Sequence, residues 1–187
     1  QSAKTSWRRE LVAVRSNLGQ WDAAVEQMRV MLADQQNNRS PMLQQYAADL
    51  FQKAAQDSQS LEQAREYFRA AIVGSRVRID VGESIVWGWG SLASRVSKVA
   101  FGSRGGVADK MRNVYFEARY RLAACRLAWA RKEVDTSIKN RLLKEAEADI
   151  KIEAQLHPGL GSNASRERFE ILLDTIQHES VTISRTK

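Results

Sequence analysis

A stretch near the amino terminus, from Gly19 to Met28, has the features of a tight turn between two antiparallel helices. Gly19 stands where the first helix ends, and glycine is the residue that most easily takes the positive φ found at such ends. Asp22 places a negative charge in the first turn of the next helix, which the helix dipole favours. Ala24 and Met28 share one face, and the small alanine lets a neighbouring helix approach closely. The stretch predicts a helical hairpin with Trp21 at the mouth of its turn.

The same order of small and large residues recurs further along the chain. Ala64, Phe68 and Ala71 repeat it 40 residues after Ala24, and a third, looser occurrence spans two later helices and ends at a proline. This pattern resembles the tetratricopeptide-repeat family, whose repeats are helix pairs with a period of about 34 residues. The residues that carry the resemblance are Gly19, Trp21, Ala24, Met28, Ala64, Phe68, Ala71, Ala118, Leu122, Ala146 and Pro158.

The sequence predicts an all-α fold. The only two prolines, Pro41 and Pro158, fall in predicted loops, and β-branched and aromatic residues do not alternate over the length of a strand. The resemblance implies an α-α superhelix of antiparallel helix pairs, in a single domain over residues 1–178. We expect helix pairs at about residues 6–35, 40–76 and 108–156, a non-repeat helix at 83–100, a capping helix at 164–178 and a polar, disordered tail at 179–187.

Several local signals support individual helices. Ser40 and Ser60 are placed as helix N-caps, and Gln63 completes a capping-box pattern with Ser60. Gly88 and Gly90 interrupt the non-repeat helix, which predicts a packing reason for each glycine, such as close contact with another helix. The first helix carries a single apolar stripe, formed by Trp7, Leu11, Val14 and Leu18.

The charge of the chain is concentrated in its middle. The net charge is +7, and residues 74–144 contain 15 Lys and Arg against six Asp and Glu, a net charge of +9. The remainder therefore carries −2. A basic segment of this kind suits an acidic protein, a nucleic acid or an anionic surface, and its alternative is a solvated helix face.

Two features of this basic segment are candidate binding residues. Arg112, Arg119 and Arg126 are spaced seven residues apart, so they lie nearly in line on one helix. In a tetratricopeptide-like stack such a row would line the groove and clamp carboxylates of a partner, and the alternative is a solvated ridge paired with Glu117 and Glu133. Trp87 is offset from the apolar face of its helix, so it is either exposed for partner contact or covers a neighbouring loop.

The residues that could carry catalysis do not form a recognisable site. Gly88, Gly90 and Ala93 fit a dinucleotide fingerprint, but no parallel strand precedes them, as that site requires. Cys125 lies in a patch of small residues, and the two histidines are far apart without the spacing of zinc ligands. Glu145, Glu147 and Asp149 form a cluster interpreted as solvent-facing charge. We expect no enzyme activity, no cofactor and no metal.

The function expected from the sequence is protein–protein interaction, as a scaffold or adaptor that holds a peptide or protein in a helical groove. An acidic partner would suit the row of arginines. One alternative is nucleic-acid binding through residues 74–144. Another is a structural role, as one end of a longer repeat array or as a subunit of a homo-oligomer. No apolar run approaches the ~18 residues of a membrane span, and the absence of an initiator methionine suggests a piece of a longer or processed protein.

Overall fold

The computed structural model describes residues 2–185 and the side chains of residues 6–183. About 80% of the chain is helical, which confirms the all-α class. The described residues form, in chain order, α1 (Ser2–Asn17), α2 (Trp21–Leu32), α3 (Gln35–Asn38), α4 (Pro41–Asp57), α5 (Leu61–Val73), β1 (Ser75–Ile79), β2 (Gly82–Val86), α6 (Gly88–Gly102), α7 (Gly106–Lys132), α8 (Thr136–Leu156) and α9 (Asn163–Arg185).

The described residues divide into two compact units, one ending at Ser91 and the other beginning at Leu92. In the first unit α1 packs on α2, and α4 packs on α5. In the second unit α7 packs on α8, and α9 lies against both of them. The predicted pairs are therefore packed, adjacent helix pairs, which is compatible with a helical-repeat fold.

The turn between α1 and α2 has the predicted geometry. Gly19 has a φ of +70°, and its N–H donates to the carbonyl of Ser16 at 3.1 Å. The N–H of Gln20 donates to the carbonyl of Arg15 at 2.8 Å. These two bonds satisfy carbonyls that the end of a helix would otherwise leave unpaired. The positive φ predicted at Gly19 is confirmed.

The predicted N-caps of α4 and α5 are also confirmed. Ser40 Oγ accepts a hydrogen bond from the N–H of Leu43 at 3.4 Å, and Ser60 Oγ accepts one from the N–H of Gln63 at 3.3 Å. The side chain of Gln63, however, turns away from Ser60 and donates to Asp22 Oδ1 at 2.7 Å. The reciprocal half of the capping box is thus replaced by a bond to α2.

The first residues of α2 bridge the two helix pairs of the first unit. The indole Nε1 of Trp21 donates to Asp57 Oδ2 at 2.5 Å, at the end of α4. Asp22 Oδ1 accepts a hydrogen bond from the hydroxyl of Tyr67 on α5, also at 2.5 Å. Trp21 and Asp22 therefore connect the first turn of α2 to the end of α4 and to α5.

A β-hairpin between α5 and α6 shows that the prediction of a chain without strands is wrong. β1 and β2 are antiparallel, with Ser75 opposite Val86 and Ile79 opposite Gly82. β2 occupies the positions where the sequence predicts the start of the non-repeat helix, and α6 begins only at Gly88. Polar and apolar residues alternate in β1 over four positions, from Arg76 to Ile79, so the local signal for a strand is short.

Two buried glutamines of α4 hold this hairpin and the start of α6. Gln44 Nε2 donates to the carbonyl of Ile85 at 2.8 Å, and Gln44 Oε1 accepts from the N–H of Trp87 at 2.8 Å. Eight residues further along the same helix, Gln52 Oε1 accepts from the indole Nε1 of Trp89 at 3.1 Å. β2 and the start of α6 are therefore stabilised by hydrogen bonds from α4, and a local sequence pattern does not reveal these tertiary bonds.

The second unit is built around an apolar core shared by α7, α8 and α9. α9 continues to Arg185, so the prediction of a disordered tail is wrong for residues 179–185, and residues 186–187 lie outside the described residues. Two contacts explain the extension: Arg131 pairs with Glu179 at 2.6 Å, and Ile183 packs against the core. The buried members of this core are Ala123, Leu127, Ala130, Leu142, Leu143, Ala146, Ile150, Leu160, Phe169, Leu172 and Ile176.

The backbones of Gly74 and Gly88, just outside the two ends of the hairpin, are in close contact. A Cβ on Gly74 would lie 2.4 Å from the carbonyl oxygen of Val86, and a Cβ on Gly88 would lie 2.4 Å from the backbone nitrogen of Gly74. Both glycines have positive φ, +93° and +68° respectively. A Cβ on Gly90 would lie 3.3 Å from the carbonyl oxygen of Ile72. The close packing predicted for Gly88 and Gly90 is confirmed.

Replacing Gly88 by alanine is expected to destabilise the chain by more than about 2 kcal/mol, because the new methyl group meets backbone atoms at a positive φ. Gly102→Ala is the matched control, since a Cβ there meets no atom within 4 Å. At that position we expect little change, or a gain of up to about 1 kcal/mol. Urea unfolding followed by circular dichroism measures the stability of both variants. Equal midpoints would show that the backbone contact at Gly88 leaves room for a methyl group.

Candidate protein-interaction surface

The row of arginines predicted on α7 is divided between different partners. Arg112 Nη1 donates to the carbonyl of Ala100, near the end of α6, at 2.9 Å, and the same guanidinium pairs with Asp109. Arg119 and Arg126 instead face the carboxylates of α8. The seven-residue spacing places these residues along one helix, but the structure does not bring the three guanidinium groups together as one surface.

Arg119 and Arg126 belong to an internal charge cluster between α7 and α8. Arg119 Nε donates to Glu153 Oε2 at 2.8 Å. Arg126 pairs with Asp149, and its Nε lies 3.1 Å from Glu145 Oε2. Two cations and three carboxylates give these five side chains a net charge of −1. The cluster therefore compensates the arginines within the unit, and the interpretation of Asp149 as solvent-facing charge is wrong.

Glu117, predicted as a partner of the arginine row if that row were solvated, pairs with two other arginines. Glu117 accepts hydrogen bonds from Arg121 at 2.7 Å and from Arg168 of α9 at 3.0 Å. Burial would raise the pKa of Glu117, but these two hydrogen bonds outweigh it and lower the pKa. The guanidinium of Arg168 also lies over the ring of Tyr120, 4.1 Å from its centroid. Glu117 therefore links α7 to α9 through its hydrogen bond with Arg168.

Glu153 is the fully buried member of the charge cluster. Besides Arg119, its Oε2 accepts a hydrogen bond from the hydroxyl of Tyr115 at 3.0 Å. Its other oxygen, Oε1, has no hydrogen-bond partner among the described residues, and His157 Nε2 lies 3.8 Å from it. A buried carboxylate of this kind depends on its remaining partners, because an unpaired buried charge is strongly destabilising.

Aromatic rings surround His157 at the end of α8. Its imidazole stacks on Phe101, with the ring centroids 4.3 Å apart and the planes 12° from parallel. Tyr115 and Phe116 approach the imidazole edge-on, with centroid distances of 5.6 and 5.7 Å. These contacts fix the end of α8 just before Pro158, where the sequence predicts that the helix closes.

Trp87 does not supply an exposed indole. Its side chain is only 9% exposed, and its backbone N–H is bound by Gln44. The alternative in which Trp87 is exposed is therefore wrong. Its place at the junction of β2 and α6 explains the burial, because the predicted helix does not extend through this position.

The apolar stripe of α1 is the largest group of exposed apolar residues at helical spacing in the first unit. Trp7 is 51% exposed, Val14 53% and Leu18, just beyond the helix, 66%. α1 contacts α2 through other residues: Val12 is fully buried, and Arg15 Nη1 donates to the carbonyl of Ala23 at 3.0 Å. The stripe thus lies beside the α1–α2 contact and faces outward.

Sequence reasoning identified the stripe but not its exposure, and it missed the surroundings of Glu153. The four-residue spacing of Glu153 and His157 places them on one face of α8, which was a usable signal. Nothing in that spacing indicates that Tyr115 and Arg119 lie opposite. For α1, the spacing of apolar residues is the same whether a core or another molecule covers them.

Comparisons with protein-family models, with curated proteins and with solved structures find no match to this chain. The packed, adjacent helix pairs are compatible with a helical-repeat fold, and no family model assigns them to a particular repeat family.

The described residues contain neither a membrane-spanning helix nor a cluster of metal-binding side chains. None of their helices combines the length and the hydropathy that crossing a bilayer requires. Their His, Cys, Asp and Glu side chains do not come together in threes as a metal site needs. Cys125 is buried, and burial raises the pKa of its thiol far above the ordinary value, which disfavours a reactive thiolate.

Arg119→Ala is expected to destabilise the chain by about 3 kcal/mol, because it leaves the buried Glu153 carboxylate without its cation. Arg166→Ala is the matched control, since it removes an exposed ion pair with Glu170 on α9. Such pairs contribute less than about 1 kcal/mol. Chemical denaturation of both variants tests the prediction, and a similar small loss in each would show that Glu153 does not depend on Arg119.

The stability of the chain is expected to fall between about pH 10 and 12, in part through Tyr115. Burial and the neighbouring Glu153 carboxylate raise the pKa of Tyr115 to about 12. In the unfolded chain a tyrosine ionises near pH 10. The stabilising difference is therefore complete below pH 10 and is lost as the pH rises to about 12. Tyr115→Phe should have the shallower decline in unfolding free energy over this range, and equal slopes would contradict the assignment.

Proposed function

We propose that this chain is a protein-interaction module, a scaffold or adaptor that binds a protein or peptide partner. The observation that carries the proposal is the exposed apolar stripe of α1. Soluble proteins rarely leave several large apolar residues together on their surface, and such patches mark interaction sites. Trp7 also belongs to the residue type that most often dominates binding at interfaces.

The stripe has the geometry of one half of a helix-in-groove contact. Trp7, Val14 and Leu18 follow one another at intervals of seven and four residues, so they lie along a single line of α1. Burying the exposed half of each side chain contributes on the order of 1 kcal/mol. Three such residues supply part of an interface, and the partner must add contacts on either side of them.

The proposal includes a finer assignment of the fold. We assign the helix pairs as degenerate, tetratricopeptide-like repeats of an α-α superhelix, with α9 as its capping helix. The fully buried Ala24, Ala64, Ala118 and Ala146 support this assignment, since each stands where a repeat places a small residue. The apolar face of α9 adds support, because Phe169 and Ile176 are buried against the preceding helices.

The predicted groove contacts of Arg112, Arg119, Arg126 and Trp87 stay a prediction. Internal carboxylates engage Arg119 and Arg126, and Trp87 is buried. We therefore place the principal partner contact on α1. A double reversal of Arg119 and Arg126 to glutamate is a poor test of binding, because it would set new carboxylates against Asp149 and Glu153.

Nucleic-acid binding through residues 74–144 is less favoured by the charge pairing of this segment. Many of its arginines have carboxylate partners: Arg76 pairs with Glu83, Arg121 with Glu117, and Arg131 with Glu179. Binding that is lost on nuclease treatment or at ~0.2 M salt would favour nucleic acid over a protein partner.

Replacing Trp7 and Leu18 together by serine is expected to abolish the capture of partner proteins from extracts of the source cells. Helical content should be unchanged, since both side chains are exposed. The control replaces Ile171 and Val181 of α9 by serine; these are exposed apolar residues outside the stripe, and the control variant should keep the same partners. Equal capture by both double variants would contradict the proposal. Light scattering of each variant shows whether the captured partner is a second copy.

A further inference from the structure

We infer that the stripe of α1 binds an amphipathic helix with acidic residues along the edge that faces Arg8 and Arg15. The inference rests on the proposed function and names the partner's chemistry. It is carried by the way charged residues flank the exposed apolar residues of α1.

The stripe has the spacing of a coiled-coil seam. Its members follow at intervals of four, three and four residues, so Trp7 and Val14 occupy d positions of a heptad, while Leu11 and Leu18 occupy a positions. A second helix that packs along this seam meets apolar side chains over two heptads. Helical partners recognise such seams through apolar residues three and four positions apart.

The two edges of the seam carry opposite charges. In the same register Arg8 and Arg15 occupy e positions, and Glu10 occupies a g position. Both arginines are half-buried beside the seam, and the guanidinium of Arg8 lies 5.9 Å from the ring centroid of Trp7. Arg15 uses one of its five N–H donors on the carbonyl of Ala23, at the edge where the seam borders α2. The described side chains of α1 comprise three arginines and one glutamate, so the surface is basic. Charges beside an apolar seam determine partner choice and orientation.

The charge pattern disfavours a second copy of the chain as the occupant. In an antiparallel pair of α1 helices, e positions face e positions, so Arg8 and Arg15 would meet the same arginines of the other copy. A parallel pair would bring Glu10 towards Arg15 of the other copy. However, α1 offers one glutamate for the two arginines beside the seam, so Arg8 would meet no carboxylate of the other copy. A different helix with acidic residues seven positions apart meets both arginines without this repulsion.

The test uses a fluorescein-labelled helical peptide with leucine at its seam positions, glutamate along one flank and glutamine along the other. A second peptide has lysine in place of each glutamate. Fluorescence anisotropy with the full chain should show that the glutamate peptide binds at least about tenfold more tightly than the lysine peptide. Equal affinities would overturn the inference, because the flanking arginines would then select no charge.

Charge-reversal variants of α1 locate the effect. Arg8→Glu should weaken binding of the glutamate peptide about tenfold and strengthen binding of the lysine peptide. Arg9→Glu is the matched control: it makes the same change in net charge on an exposed residue directed away from the seam, and it should preserve the preference. An equal response in both variants would reduce the effect to net charge and overturn the inference.

The outcomes separate this inference from the proposed function. If Trp7→Ser with Leu18→Ser abolishes partner capture while Arg8→Glu leaves peptide selectivity unchanged, the interaction surface stands and the acidic partner is wrong. If the serine variant captures the same partners as the control variant, the proposed function itself fails. Concentration-dependent dimerisation of the full chain, abolished by the serine variant, would identify a second copy as the occupant and overturn the inference.

Discussion

Close contact between paired helices through alanine is the constraint on which the rest of this structure depends. Ala24, Ala64, Ala118 and Ala146 are all fully buried, one on each of α2, α5, α7 and α8. A larger side chain at these positions would force the helices apart, because protein interiors are packed too densely to absorb added atoms. The short distance between helices in turn brings polar groups within bonding range, as in the contact of Arg119 with Glu153 across α7 and α8.

The features best predicted from the sequence are helix ends and turns, because a few neighbouring residues determine them. The end expected for the last helix pair, at residue 156, agrees with the end of α8 because Pro158 follows and cannot continue the helix. The turn at Gly19 was likewise predictable from its own residues. The hairpin at residues 75–86 was not, because Gln44 of α4 supplies a tertiary hydrogen bond to the carbonyl of Ile85. So short an alternation of polar and apolar residues has little weight until such a partner is known.

The site could be predicted only in part, since spacing along a helix specifies a face and not what lies opposite. Arg119 and Arg126 share a side of α7, as the seven-residue spacing indicates. Glu145, Asp149 and Glu153 share a side of α8 by spacings of four. Whether these two rows face each other or face a partner depends on the rotation of each helix about its axis. In the structure Arg119, Arg126, Asp149 and Glu153 face one another, while Glu145 at the end of the acidic row stays exposed.

The same reasoning explains why the stripe of α1 stays exposed. α1 is attached to α2 through Val12 and Arg15, which leaves most of its apolar surface uncovered. Isolated helices of this length are marginal in water, so α1 depends on its contacts with other helices. A partner helix on the seam would bury Trp7, Val14 and Leu18 and so stabilise α1 by linkage between binding and folding. The stripe is exposed because the contact of α1 with α2 lies beside it, on the side of the helix that holds the buried Val12.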